Sequence, residues 1–466
     1  MTYDDAVRYL LALGRELASP QQARVAKFDL ANTAILVERL GHPERAYPSV
    51  HVAGTNGKGS TAAMLASILS AAGLRAGLYT SPHLERINER IRLGAREITD
   101  EEFAAAFDRI RAAIEELLAA GPLAAHPTFF ECLTTMAFDY FARPPAPGAQ
   151  RRAEFAVFEV GMGGRLDATN VLTPEVAVIT QIAFDHENYL GHSIEEIAGE
   201  KAGIIKPGAW VVSAAEHPSA RDVIRARAKK QGARLLEIDE RFGVKNLQTD
   251  APSSGIRFEV VDKESHQRIE LSVPLAGQFQ VRNAVTALAA ARLLAERGFP
   301  AEDAAIARGI ADVRWPGRLE LVGARPAVYI DGTHNPAGAR ELVAFWDEQF
   351  PGVPIHLVYG TLRDKPIDEI CGVLFPRAAS VILTEPRQSR ALKAETLARM
   401  TRHLAPHSEI VREPAAAIER AIQLAAPEDA VLATGSLYLV ADYRRGWERT
   451  RSAAGSFADR LHPAKK

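Results

Sequence analysis

Cysteine is nearly absent. The 466 residues hold two, Cys132 and Cys371, far apart in the chain. Two remote thiols offer neither a metal-ligand spacing nor a disulfide framework. The chain also lacks any run of ~18 uninterrupted apolar residues, which argues against a membrane-spanning helix. Its start, MTYDDAVRYL, carries acids where a secretory signal carries basic residues, and no apolar segment follows. Nor is there an excess of one charge. Against 58 Asp and Glu stand 56 Lys and Arg, a formal net charge of −2 that argues against a general nucleic-acid binder. Short-period repeats and low-complexity tracts are missing too. What is present, 47% apolar and 24% charged residues, excludes wholesale disorder. The expectation is a cytoplasmic chain of two or three domains, at ~150 residues per domain. It should have no membrane or nucleic-acid partner and, lacking an evident association helix, be a monomer.

The N-terminal part alternates strand-like and helix-like segments. PSVHVA (48–53) reads as a short buried strand, GTNGKGS as a loop, and TAAMLASILSAA as a helix ended by Gly73. RAGLYTS, EFAVFEVG and EVAVITQIA read as further strands. Thr99 with Glu102 has the spacing of a capping box opening a helix to about Ala120, and Ser193 with Glu196 caps a second helix that carries Lys201. Strands alternating with helices imply a parallel sheet covered on both faces. GIRFEVVD and QRIELSVPL suggest a small antiparallel excursion, followed by the helical NAVTALAAARLLAERG. RPPAPG (143–148) is a Pro-rich loop, and the terminal HPAKK a frayed tail.

WPGRLE, with its Pro316-Gly317 turn signal, marks a linker. After it the alternation restarts with the strands AVYIDG, PIHLVYG, SVILTEP and AVLATGS. ARELVAFWDEQF, ETLARMTRHL and AAIERAIQLA are the helices between them. The reading is therefore two α/β domains, residues 1–313 and 319–466.

Gly54-Thr55-Asn56-Gly57-Lys58-Gly59-Ser60 joins a predicted strand to a predicted helix. Small residues let backbone N–H groups converge on phosphate oxygens, and the helix N-terminus adds partial positive charge. Lys58 would meet the β- and γ-phosphates, and a hydroxyl such as Ser60 would face Mg²⁺. The spacing departs from the common phosphate loop, because Gly59 separates the lysine from the hydroxyl.

That departure resembles the folate branch of the Mur-ligase superfamily. Further segments are similar to folylpolyglutamate and dihydrofolate synthases: Ser81-Pro82-His83-Leu84, Phe130-Glu131, EVGMGGRLDATN (159–170), DHENYLG (185–191), EKAGIIKPG (200–208), WPGRLE, DGTHNP (331–336) and TGSLYL (434–439). The resemblance spans about residue 20 to 445. It implies a P-loop central domain with a mainly parallel sheet and a C-terminal Rossmann-like domain that closes over it about Pro316-Gly317. The implied reaction is ATP-dependent amide formation between L-glutamate and dihydropteroate or a reduced folate, through an acyl phosphate.

The resemblance also implies roles. Ser81 and Glu159 would hold one Mg²⁺ and His186 a second, although Mg²⁺ ordinarily prefers oxygen donors. Lys201, on composition alone a solvated helical lysine, would be carbamylated and join the second metal site. Lys58, His186 and Lys201 form the expected catalytic set. Thr55, Asn56, Gly57, Lys58, Gly59, Ser60, Asn283, Arg318 and Asp331 would hold ATP. Phe129, Phe130, Glu131, Cys132, Leu166, Asp167 and Ala168 would line the pterin pocket, and His334 would help form the glutamate site. The family's His-Gln pair before Asn283 reads Phe279-Gln280 here, so any role of that histidine is missing or replaced. A cell-wall Mur ligase and a non-catalytic nucleotide-dependent module are the rival expectations.

Overall fold

The structure, a computed structural model, describes residues 1–13, 30–144, 152–249 and 255–454, without side chains over 447–454. The Pro-rich loop expected at 143–148 leaves the described residues at 145, and HPAKK lies outside them altogether. The chain divides into two compact units. The first comprises Met1–Gln248, Arg257–Pro274 and Phe279–Arg314; the second comprises Trp315–Lys466 with the pieces Thr249–Ile256 and Leu275–Gln278.

Eight strands build the first unit's main sheet: β1 (Ser49–Ala53), β2 (Ala76–Tyr79), β3 (Ile91–Leu93), β4 (Arg96–Glu97), β5 (Phe155–Glu159), β6 (Val176–Ile179), β7 (Trp210–Ser213) and β8 (Arg234–Glu237). Their order is β4-β3-β2-β5-β1-β6-β7-β8. The pairs from β2 through β8 are parallel, and β3 and β4 add an antiparallel edge. The central strands β1, β5 and β6 are buried along their whole length, which is why they read as continuous apolar runs rather than alternating ones.

The helix Lys58–Ala71 that follows β1 is buried almost all round. Ala62, Met64, Leu65, Ile68 and Leu69 are without exposure, as expected of a helix whose sequence is apolar on every face. One aromatic cluster gathers Phe103 and Phe107 from the helix Asp100–Ala120, Phe138 and Phe141 from the helix Phe129–Ala142, and Phe158 from β5. The expected capping boxes both form: Thr99 Oγ1 accepts the Glu102 N–H at 3.2 Å and Ser193 Oγ that of Glu196 at 3.1 Å. A third, Thr128 with Glu131, opens Phe129–Ala142.

Residues 242–273 form a three-stranded sheet in the order β11-β10-β9, from β9 (Phe242–Thr249), β10 (Ile256–Asp262) and β11 (Arg268–Val273). Sequence reading finds only the last two. Those strands alternate buried and less buried positions, whereas β9 is exposed from Val244 onward and carries no such pattern.

The second unit is a six-stranded sheet of β12 (Glu320–Ala324), β13 (Ala327–Ile330), β14 (Ile355–Tyr359), β15 (Ser380–Leu383), β16 (Glu409–Ile410) and β17 (Ala430–Thr434), in the order β12-β13-β17-β14-β15-β16. Only β12 runs antiparallel to its neighbour. This is the mainly parallel α/β architecture expected. No helix among the described residues is long and apolar enough to cross a membrane.

Candidate active site

In a parallel sheet, ligands gather where strands end at their carboxyl edge. β1 ends there in the loop Gly54–Gly57, and Lys58 opens the helix. Gly54 has φ +153°, and a Cβ on it would lie 1.8 Å from Thr180 Oγ1; Gly57 has φ +83°, and its Cβ would lie 2.2 Å from Asn283 Oδ1. Only glycine fits at either place. The loop is pinned to the segment that follows β6. Thr55 N–H donates to the Gln181 carbonyl at 2.7 Å, and its hydroxyl donates to Ala183 O at 3.0 Å and accepts Ala183 N–H at 3.1 Å. Thr180 Oγ1 donates to Asn56 O at 2.7 Å, and the Asn56 amide to Gln181 Oε1 at 3.1 Å. Gly59 and Ser60 are buried in the first helical turn.

Two lysines converge on this loop. Lys58 Nζ donates to Thr55 O at 3.0 Å. Lys201, on the helix Ile194–Ala202, is 3% exposed and donates from Nζ to Gly54 O at 2.7 Å. Burial, with the charge of Lys58 adding to it and that of Asp185 opposing, pushes the Lys201 amine down to about 7. Composition alone suggests a solvated lysine; the fold buries it.

Glu159 ends β5, and Ser81 follows β2, its neighbour in the sheet. Ser81 N–H donates to Glu159 Oε2 at 2.9 Å, so the two sit together at the carboxyl edge. His186 stands in the left-handed conformation at φ 52°. Its N–H is held by Asp185 Oδ1 at 2.9 Å, and its Nε2 lies 3.8 Å from Asp185 Oδ2. Among the described residues no three His, Cys, Asp or Glu side chains converge.

The expected pterin residues divide into two kinds. Phe130 is half-buried; its ring sits where a Cβ on Gly161 would be, 2.4 Å from Cζ, and 6.1 Å from the Tyr79 ring. Phe129 is buried, with the Arg90 guanidinium carbon 5.2 Å from its ring centre, and Arg90 Nε donates to His83 Nδ1 at 2.9 Å. Asp167 is buried, with Oδ2 accepting the Met162 N–H at 2.9 Å and Oδ1 the Thr169 N–H at 3.0 Å. Leu166 is half-buried and Ala168 buried. Glu131, by contrast, uses its carboxylate to cap its own helix, accepting Thr128 N–H at 2.6 Å. Cys132 is a core residue: its thiol donates to Pro127 O at 3.7 Å, and burial pushes its pKa up.

Asn283 Nδ2 donates to Gln280 Oε1 at 2.9 Å, which aims the Asn283 carbonyl oxygen at Gly57. In the second unit, Asp331 accepts Leu319 N–H at 2.9 Å and Thr333 N–H at 2.7 Å, so both its oxygens organise the loops beside it. Arg318 is half-buried, with Nη1 2.9 Å from where a Gly332 Cβ would stand. His334 Nδ1 lies 2.9 Å from Gly332 O. Sequence reading missed Thr180, Gln181 and Ala183 as supports of the phosphate loop. Their signal is their place at the carboxyl end of the predicted strand EVAVITQIA, whose last four residues lie beyond the observed β6.

Known proteins resemble this chain along nearly its whole length. The Mur ligase middle domain matches residues 146–291, and the Mur ligase glutamate ligase domain residues 317–437. The dihydrofolate synthase/folylpolyglutamate synthase of Bacillus subtilis (strain 168) is 36% identical over 414 residues, covering 88% of this chain and 93% of the relative. The folylpolyglutamate synthase of Lacticaseibacillus casei is 34% identical over 447 residues, covering 96% and 98%. Among solved structures, Mycobacterium tuberculosis folylpolyglutamate synthase complexed with ADP superposes with a TM-score of 0.83 at 33% identity, covering 95% of this chain and 97% of the other. E. coli FolC in complex with DHPP and ADP gives 0.82 at 31%, covering 96% and 98%.

Proposed function

This chain belongs to the dihydrofolate synthase/folylpolyglutamate synthase family of Mur ligases, and from that premise we propose how its own residues carry out the family's reaction. The chain is an ATP-dependent ligase that joins L-glutamate to dihydropteroate or a reduced folate. The acceptor carboxylate attacks the γ-phosphorus of ATP and ADP leaves. The amine of glutamate then attacks the acyl carbon, forming the amide as inorganic phosphate departs. A carboxylate is a poor electrophile, and phosphorylation supplies the missing leaving group. The protein's part is positioning and neutralising charge.

The observation that carries this reading is the pairing of Lys58 and Lys201 on one phosphate loop. Lys58 and the helix N-terminus receive the phosphates, with Asn56, Gly57, Gly59 and Ser60 supplying backbone and hydroxyl donors, while Thr55, whose own N–H and hydroxyl proton go to Gln181 and Ala183, holds the loop in shape around the nucleotide. Asn283, Arg318 and Asp331 are assigned to ATP as the resemblance implies, and His334 to glutamate. Phe129, Phe130, Leu166, Asp167 and Ala168 hold the acceptor, while Glu131 and Cys132 shape that stretch from within the helix.

Glu159 and Ser81 suit Mg²⁺: both offer oxygen, side by side at the sheet edge. An ion held there would screen the negative charge of the phosphate oxygens. His186 and Lys201 offer only nitrogen, a poor set for a second Mg²⁺ while Lys201 is an ammonium. Its depressed pKa supports carbamylation. The neutral amine, formed when the ammonium gives up a proton, attacks the carbon of CO₂; the nitrogen–carbon bond forms as one C=O π bond opens, a second proton leaves the nitrogen, and the product is a carbamate whose single negative charge is shared by two oxygens.

The test is ADP release by the isolated protein with ATP, Mg²⁺, glutamate and either dihydropteroate or a reduced folate whose carboxylate carries ¹⁸O. Acceptor-dependent turnover with the label in the released phosphate is expected. Product formation with unlabelled phosphate, or turnover only with UDP-muramyl substrates, would overturn the reading.

A further inference from the structure

His51 lies on β1, three residues before the phosphate loop, and the chemistry above gives it no task. It is fully buried. Its Nε2 stands 2.7 Å from Thr169 Oγ1, and Thr169 Oγ1 in turn donates to Asp167 Oδ1. A threonine hydroxyl has a single proton. With that proton committed to Asp167, the hydroxyl can only accept from His51, so His51 is the tautomer protonated on Nε2. Its Nδ1 is then a bare lone pair, buried without a hydrogen-bond partner. Burial, with a contribution from the charge of Lys206, pushes the imidazole down to about 3 and keeps it neutral.

The opposite polarity can be drawn. A protonated Asp167 would donate to Thr169, and Thr169 to His51 Nε2. His51 would then carry its proton on Nδ1, leaving an N–H donor buried with no acceptor, the rarer and costlier kind of orphan. Burial of Asp167 raises its pKa and pulls it towards that protonated form. Met162 and Thr169 N–H groups oppose the pull, but they cannot turn the threonine hydroxyl. His51, bonded to the same hydroxyl, adds the bias: the direction that points the hydroxyl at Asp167 is the one that leaves no buried N–H of the imidazole without an acceptor.

We propose that His51 is a positioning residue for the acceptor substrate: by fixing the direction of the Thr169 hydroxyl it holds Asp167 as a pure hydrogen-bond acceptor, and so selects a heterocycle that presents N–H donors. This rests on the assignment of Asp167 to the acceptor pocket. His51 touches no substrate; it acts through Thr169 and Asp167.

The test compares His51→Leu, His51→Gln, Thr169→Val and the double His51→Leu/Thr169→Val in steady-state kinetics on the full chain, with folding checked by thermal melting. For His51→Leu the KM for acceptor should rise about tenfold while kcat and the KM for ATP stay within about twofold. His51→Gln, whose amide N–H can still donate, should recover most of the loss. Thr169→Val should match His51→Leu, and the double variant should add nothing. β1 runs straight into the phosphate loop, so a merely structural role would raise the KM for ATP by the same factor. That result, an unchanged acceptor KM, or additive losses would overturn the proposal. Should His51→Leu fail to fold, His51→Gln and Thr169→Val decide alone: the first must stay near wild type while the second loses acceptor affinity. Wild-type protein with no acceptor-dependent turnover would instead sink the proposed function itself.

Discussion

Lys201 Nζ and the Gly54 carbonyl oxygen lie 2.7 Å apart, a bond between residues 147 positions apart in the chain. It ties a buried amine to the first residue of the phosphate loop. Lys201→Met removes both that bond and the amine that CO₂ would modify. The variant should lose at least about 100-fold in kcat, the scale seen when a preorganised charge-stabilising group is deleted. ¹³C-bicarbonate should give a carbamate carbon resonance in wild-type protein that is missing from the variant. A variant with wild-type kcat would remove Lys201 from the chemistry.

The same burial predicts a pH dependence of stability. Burial pushes the Lys201 amine down to about 7, from about 10.5 for a lysine free in water. Between those values the unfolded chain holds a proton that the folded chain does not, so folding gains stability as pH rises from about 7 towards 10.5, and the full penalty applies below 7. Lys201→Met carries no such penalty. In CO₂-free buffer it should be more stable than wild type by on the order of 2 kcal/mol at pH 6, after the lost hydrogen bond is set against the relieved charge. The gap should close at roughly pH 8–9 and reverse by about pH 10, where the penalty has nearly gone and the lost hydrogen bond remains. Urea unfolding across that range measures it, and a gap that widens with pH would contradict the assignment.

Much of this was legible in the sequence because both large sheets are mainly parallel and buried, so their strands read as apolar runs and their loops stand out between them. β9 was not legible, since its outward side chains leave no hydrophobic period. Glu131 and Cys132 are instructive in another way. Thr128-x-x-Glu131 has the same capping spacing that identifies Thr99 and Glu102, and Phe129, Cys132, Leu133 and Met136 fall on one apolar helical stripe. Both structural roles are readable in the sequence, beside the pterin-pocket role that the resemblance implies. The His51–Thr169 contact spans 118 residues, and no local pattern announces such a pair.

Gly57 supports a third prediction. It combines φ +83° with an approach to Asn283 that leaves no room for a methyl group. Gly57→Ala must therefore strain the backbone and displace the Asn283 carboxamide, which Gln280 holds in place. The expected cost is about 1–3 kcal/mol of stability, with a raised KM for ATP and an unaltered KM for glutamate. Calorimetric melting and initial rates at varied ATP measure both. An alanine variant of wild-type stability and ATP affinity would mean that the loop has slack the geometry does not show.

Glu159→Gln isolates charge from shape. Glutamine keeps a carbonyl oxygen able to accept the Ser81 N–H, the bond seen at 2.9 Å, so the edge where β2 and β5 end should stay folded. What disappears is the negative charge that a hard divalent cation requires. If Glu159 holds Mg²⁺, the half-saturating Mg²⁺ concentration should rise about tenfold or more, since charge-assisted contacts are roughly twice as strong as neutral ones. Excess Mg²⁺ should restore part of kcat, and Ser81→Ala should show a smaller shift in the same direction. Were Glu159 only a buried structural acid, the glutamine variant would lower the melting temperature and leave the Mg²⁺ titration where it was. Measuring melting and Mg²⁺ dependence on the same preparation separates the two roles.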